Sequence, residues 1–64
     1  MPFTVKMYRK PANLELWLGP TVLQHTGVDS AKETAKSWVR GGSDSEERAA
    51  YVFDGPRSIY SERR

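Results

Sequence analysis

A chain of 64 residues, 38% of them hydrophobic, has room for one small core, which leaves stability marginal unless a partner or a second copy adds to it. The complete lack of cysteine excludes disulfide staples, thiolate zinc sites and thiol nucleophiles together. Ten Lys and Arg against eight Asp and Glu give a net charge of +2, too mild to demand a nucleic-acid partner, although residues 1–40 are net +3 and residues 41–64 net −1.

Met1-Pro2-Phe3-Thr4 has neither the basic region nor the apolar stretch of a secretory leader. The most apolar run, 14–23, is interrupted by Glu15, Gly19 and Pro20 and is too short for a bilayer. The expected setting is cytoplasmic, without membrane contact. Phe3, Val5 and Met7 alternate with Thr4, Lys6 and Tyr8, the period-two pattern of a strand with one buried face. Residues 9–13 read as a loop around Pro11. Leu14, Leu16 and Leu18 then alternate with Glu15 and Trp17, which predicts a second strand antiparallel to the first, its leucines on the same inner face. Gly19-Pro20 breaks or turns that strand, and 21–26 reads as a third short strand or as its bulged continuation.

A helix is expected over 30–40. Ser30-Ala31-Lys32-Glu33 fits a capping box, with Asp29 as the other candidate cap, and Gly41-Gly42 supplies a stop. Ala31, Ala35, Trp38 and Val39 form one apolar stripe, with Trp38 as its main anchor on the sheet. A polar loop, 43–47, precedes a strand over 48–54, a turn at Asp54-Gly55-Pro56-Arg57 and a last strand over 58–61. Residues 61–64 read as a frayed tail. The fold class is thus α+β, one domain over 1–64: a small antiparallel sheet of four or five strands with one helix on one face, in the order β-β-(β)-α-β-β.

Catalytic chemistry has few candidates. His25 is the only histidine, and pairing it with Ser30 or Ser37 and Asp29 needs no more than coincidence in a serine-rich chain. There is no nucleophile elbow, phosphate loop, zinc-protease motif or calcium loop. Asp44, Glu46 and Glu47 read as a solvated acidic loop before they read as a cation site, and Ser43 and Ser45 among them carry no argument for phosphorylation. No catalytic residue, metal or cofactor is therefore assigned, and the chain reads as a binding module, not an enzyme.

The surplus aromatics carry the functional expectation. With Phe3, Val5, Met7 and the leucines under the helix, Lys6, Tyr8 and Trp17 face the other way. Placing Val52 and Ile59 under the helix adds Tyr51, Phe53 and Tyr60 to that outer face. The opposite parity would turn Tyr51 and Phe53 inward and leave only Tyr8 and Trp17. One helix cannot cover both sides of a sheet, so a face holding Tyr8, Trp17, Tyr51, Phe53 and Tyr60 points to a protein partner or a homodimer. The alternative is nucleic acid, with bases on the aromatics and phosphates on Lys6, Arg9 and Lys10, or on a helical stripe of Lys32, Lys36 and Arg40 whose cations also suit the helix dipole.

Overall fold

The computed structural model describes residues 2–42 and 45–63. The polar-loop residues Ser43 and Asp44, and Arg64 of the expected tail, lie outside the described residues. Four antiparallel strands and one helix follow in the order β1 (Phe3–Lys10), β2 (Leu18–His25), α1 (Val28–Arg40), β3 (Glu47–Asp54) and β4 (Arg57–Arg63), and the sheet order is β2-β1-β3-β4. The helix is too short to cross a membrane.

Alternation in β1 and β3 builds the core. Val5 lies opposite Val52 and Met7 opposite Ala50, and paired residues share a face, so all four point at the helix and are buried. From α1 they meet Ala31, Ala35 and Val39, also buried, which recur every four residues along one helical stripe. The largest fully buried side chains are two valines, Val5 and Val52. Helix and sheet therefore approach closely over a thin core, flanked by Phe3, Trp38 and Tyr60.

Trp38 is a flanking residue and not the main anchor expected of it. Its ring lies half-buried against the Arg48 guanidinium, 4.4 Å from centroid to carbon. The same Arg48 donates from Nη1 to the Trp38 carbonyl (2.6 Å) and from Nε to Glu46 (2.9 Å), clasping the C-terminal end of α1 to the start of β3. The helix also starts earlier than the capping-box pattern implied. Gly27 is the N-cap without any side-chain cap, the first helical bond runs from Ala31 N–H to Gly27 C=O (3.1 Å), and Ser30 lies inside the first turn, where Asp29 complements the positive helix end.

Residues 14–18 depart further from the expected pattern. These residues form no strand apart from Leu18: Leu14 and Leu16 lie in the β1–β2 connection, 38% and 60% exposed, not beneath the helix. Of the two readings of 21–26, the bulged continuation is the one observed, since residues 21–25 continue the strand that Leu18 begins. The sheet has four strands. The chain turns at Pro11, where Leu14 N–H bonds the Pro11 carbonyl (3.1 Å), and enters β2 at Leu18 opposite Arg9. Between Thr21, opposite Met7, and Leu18 the register slips by one residue, a bulge formed at Gly19-Pro20. Gly19 has φ +120, and a Cβ there would stand 2.8 Å from the Met7 carbonyl oxygen, so only glycine fits.

A second bulge lies between β3 and β4. Val52 faces Tyr60 but Phe53 faces Ser58, leaving Ile59 as the extra residue. The β3–β4 turn has Gly55 at φ +61 followed by proline, which fits a type II′ hairpin. Nor do 61–63 fray, because β4 runs to Arg63, opposite Ala49.

Two stability predictions follow from these contacts. Gly19→Ala is expected to cost about 1–3 kcal/mol through backbone strain, read as a fall in thermal midpoint of roughly 4–8 °C per kcal/mol for a domain of this size. Trp38→Ala is expected to cost less than the about 3–5 kcal/mol of deleting a fully buried ring, and a larger measured loss would restore it as the anchor.

Candidate functional site: the outer sheet face

The helix occupies one side of the sheet, and strand parity decides what stands on the other. Thr4 lies opposite Phe53, Lys6 opposite Tyr51 and Tyr8 opposite Ala49, which puts Tyr8, Tyr51 and Phe53 together on the outer face with Lys6. The inward parity of Tyr51 and Phe53 is thus ruled out by burial of Ala50 and Val52 against the helix. Tyr8 and Tyr51 meet edge to face, centroids 5.9 Å apart and planes at 75°, a favourable aromatic geometry.

Trp17 reaches this face from the connection, not from a strand. It precedes the edge strand β2, yet its ring lies against the guanidinium of Arg63 on the opposite edge strand, 5.4 Å from the centroid. The 11–17 segment therefore carries the ring across the outer face. Together Tyr8, Trp17, Ala49, Tyr51, Phe53 and Arg63 line an open groove of about 450 Å³. Ala49 is its floor, only 4% exposed although no helix covers it, because the surrounding rings wall it in.

Cations rim the groove. Lys6 Nζ lies 5.1 Å above the Phe53 ring. Glu47 pairs with Lys10 (3.5 Å) and, more loosely, with Arg63 (3.9 Å). Lys6, Lys10 and Arg63 thus stand around the rings with the carboxylate of Glu47 between two of them.

Tyr60 does not belong to this face. The Ile59 bulge inverts the parity of β4, so Tyr60 joins Val52 on the helix side and packs on the core. Lys32 and Lys36 of α1 approach its ring at 5.6 and 5.9 Å, and its hydroxyl donates to Glu62 (3.0 Å). The basic residues are likewise divided between faces: Lys6 and Lys10 are outer, Arg9 lies on the helix side paired with Glu46 (3.5 Å), and Lys32 and Lys36 flank Tyr60. Arg40, exposed in the last helical turn, completes the helical set.

Ala49 and Arg63 were not singled out from sequence. By sequence Arg63 belongs to the tail, and alanine gives no functional signal until its neighbours are known. At the other end of the molecule, His25 Nε2 is buried and takes no hydrogen bond among the described residues, so neither Ser30 nor Ser37 donates to it. Among the described residues no cluster of three His, Asp or Glu is placed to hold a metal ion. Compared with protein-family models, curated proteins and solved structures, the chain matches none of them.

Burial, and then the hydrogen bond to Glu62, hold the Tyr60 phenol above the ordinary 10.0. A raised acid pKa favours the protonated folded form, so this contribution to stability is complete below the unfolded value and is lost as pH rises through the folded one. In an alkaline titration followed by tyrosinate absorbance, Tyr60→Phe is expected to delete a transition lying above the ordinary tyrosine value. Deletion of one at or below that value would contradict the placement of the ring.

Proposed function

We propose that the domain is a non-enzymatic binding module that takes a segment of a protein partner into the outer groove. The observation that carries this reading is the ring-walled cavity of about 450 Å³ on the one sheet face the helix leaves uncovered. Grooves of this size with apolar walls and a few polar groups are suited to capture of side chains. Tyr, Trp and Arg are the residue types on which interface energies concentrate. Lys6, Lys10 and Arg63 around the rim favour acidic residues flanking an apolar or aromatic anchor.

Two features favour an inserted segment over the other partners. Face-to-face packing of two such sheets needs flat surfaces about 10 Å apart, and the Trp17 ring crossing the face interrupts that plane. Binding of a single strand needs a basic groove that tracks its backbone beside the stacked bases, whereas Lys6 and Arg63 lie over the Phe53 and Trp17 rings themselves. The remaining basic residues are spread over both sides of the sheet, which is a weak footprint for a polyanion.

Peptides selected from a random display library on the immobilised chain are expected to carry an aromatic or large aliphatic anchor with acidic neighbours. Ala49→Leu, which extends the groove floor into the cavity, is expected to weaken those peptides at least about tenfold, roughly 1.4 kcal/mol, with unchanged melting. Failure to enrich any sequence, or binding indifferent to Ala49→Leu, rejects the groove. Oligonucleotide binding that falls steeply with salt and is abolished by Lys6→Glu would replace the protein partner with nucleic acid.

A further inference from the structure

The two sheet edges are built in opposite ways. β4 carries Arg57, Glu62 and Arg63 and is kinked by the Ile59 bulge, both of which discourage a further strand from adding to it. β2, the other edge, has the sequence LGPTVLQH with no Lys, Arg, Asp or Glu. Its bulge and its proline are confined to the start, and from Thr21 to His25 its pairing with β1 is regular. That five-residue run offers an unprotected row of backbone donors and acceptors on the side away from β1.

The same run exposes its largest apolar side chains. Leu23 shares the helix side with its partner Val5, but α1 lies chiefly over β3 and β1, and Leu23 stays 44% exposed; Val22 on the outer side is 48% exposed. An uncharged, regular edge flanked by uncovered apolar side chains is a template for another strand, and its own sequence is compatible with that role.

We propose that two copies of the chain join along β2, with residues 21–25 antiparallel about a twofold axis at Leu23. The register comes from the length of the regular run, whose middle residue is Leu23. An axis normal to the sheet keeps both helices on one side. It sets Leu23 opposite Leu23 of the partner subunit, Val22 opposite the partner's Gln24, and Thr21 opposite the partner's His25. No Lys, Arg, Asp or Glu meets its like in this pairing, and each exposed leucine gains the cover that α1 does not give it. Any other centre within the run shortens the pairing or draws in Pro20, which cannot donate. The result is a continuous eight-stranded sheet whose two outer grooves open on the same face. This pairing is independent of what the groove binds.

A five-residue pairing buries less than the about 1,200 Å² at which standard interfaces begin, so the association is weak. Sedimentation equilibrium from about 10 µM to about 1 mM is expected to show the mass rising from the 7.3 kDa of one chain towards twice that value. Leu23→Lys is expected to keep the fold by circular dichroism and to hold the mass at the monomer value. Because the chain has no cysteine, a Leu23→Cys variant should form an intermolecular disulfide under mild oxidation at least tenfold faster than an Ile59→Cys control on the other edge. A wild-type chain that stays monomeric at the top concentration overturns the proposal, as does association that survives Leu23→Lys but is lost on Tyr51→Ala. If Leu23→Lys fails to fold, the cysteine comparison decides, and equal rates for the two variants reject the pairing.

Discussion

The closeness of α1 to the two central strands governs the rest of the molecule. Ala31, Ala35 and Ala50 are fully buried at that contact, and small side chains let the helix backbone descend onto the sheet until Val5, Val52, Met7 and Val39 fill the remaining space. Each buried valine contributes about 1.5 kcal/mol or somewhat more, so a core in which valines are the largest fully buried residues contributes little in total. Large rings would ordinarily supply most of the buried area of so small a domain. Here Tyr8, Trp17, Tyr51 and Phe53 are set on the opposite face instead. A narrow helix contact and a ring-rich outer surface are two consequences of one distribution of side chains along β1 and β3.

Where structure was legible from the chain alone, the pattern was local and uninterrupted. The alternation of Phe3, Val5 and Met7 placed β1 and its outward Tyr8 correctly, the Ala31–Ala35–Val39 spacing placed the helix, and Val52 inward with Tyr51 and Phe53 outward was one of two parities, the one the structure adopts. What escaped was non-local. A bulge inserts one residue and reverses the parity of everything beyond it, and nothing in Ser58-Ile59-Tyr60 announces that Val52 and Phe53 will pair with Tyr60 and Ser58. Tyr60 was therefore assigned to the wrong face. The Leu14-Leu16-Leu18 alternation misled because period two is a pattern of residue types and not yet a conformation: the chain turns at 12–13 and bends at 15–16 before the ladder begins at Leu18. Arg63 looked like tail because its partner Ala49 lies fourteen residues earlier, a pairing that only the hairpin closed by Gly55 brings about.

The distribution of cations completes the account of the mild basic charge. Lys6 covers Phe53, Arg63 covers Trp17, Arg48 covers Trp38, and Lys32 and Lys36 flank Tyr60. In each pair the charged end of the long side chain lies over the ring, whose face attracts it. A net charge of +2 thus has an explanation inside the molecule, since the bases shield aromatic surface that would otherwise be an aggregation hazard. Little of it is left over as a continuous track for phosphates.

Shielding of this kind bears on how the groove would be entered. Lys6 and Arg63 lie over two of its rings, so an incoming apolar side chain would compete with them for the same ring faces. A carboxylate beside that side chain removes the competition, because it offers the displaced cation a partner at the rim where Glu47 already engages Lys10 and Arg63. Acidic flanks would then act less by adding attraction than by releasing the rings, and affinity should depend on the anchor and the carboxylate jointly. A basic or neutral segment of equal bulk would leave both cations in place and meet a groove still closed over Phe53 and Trp17, so that selection against such segments would come from the same contacts that shield the rings in the free domain.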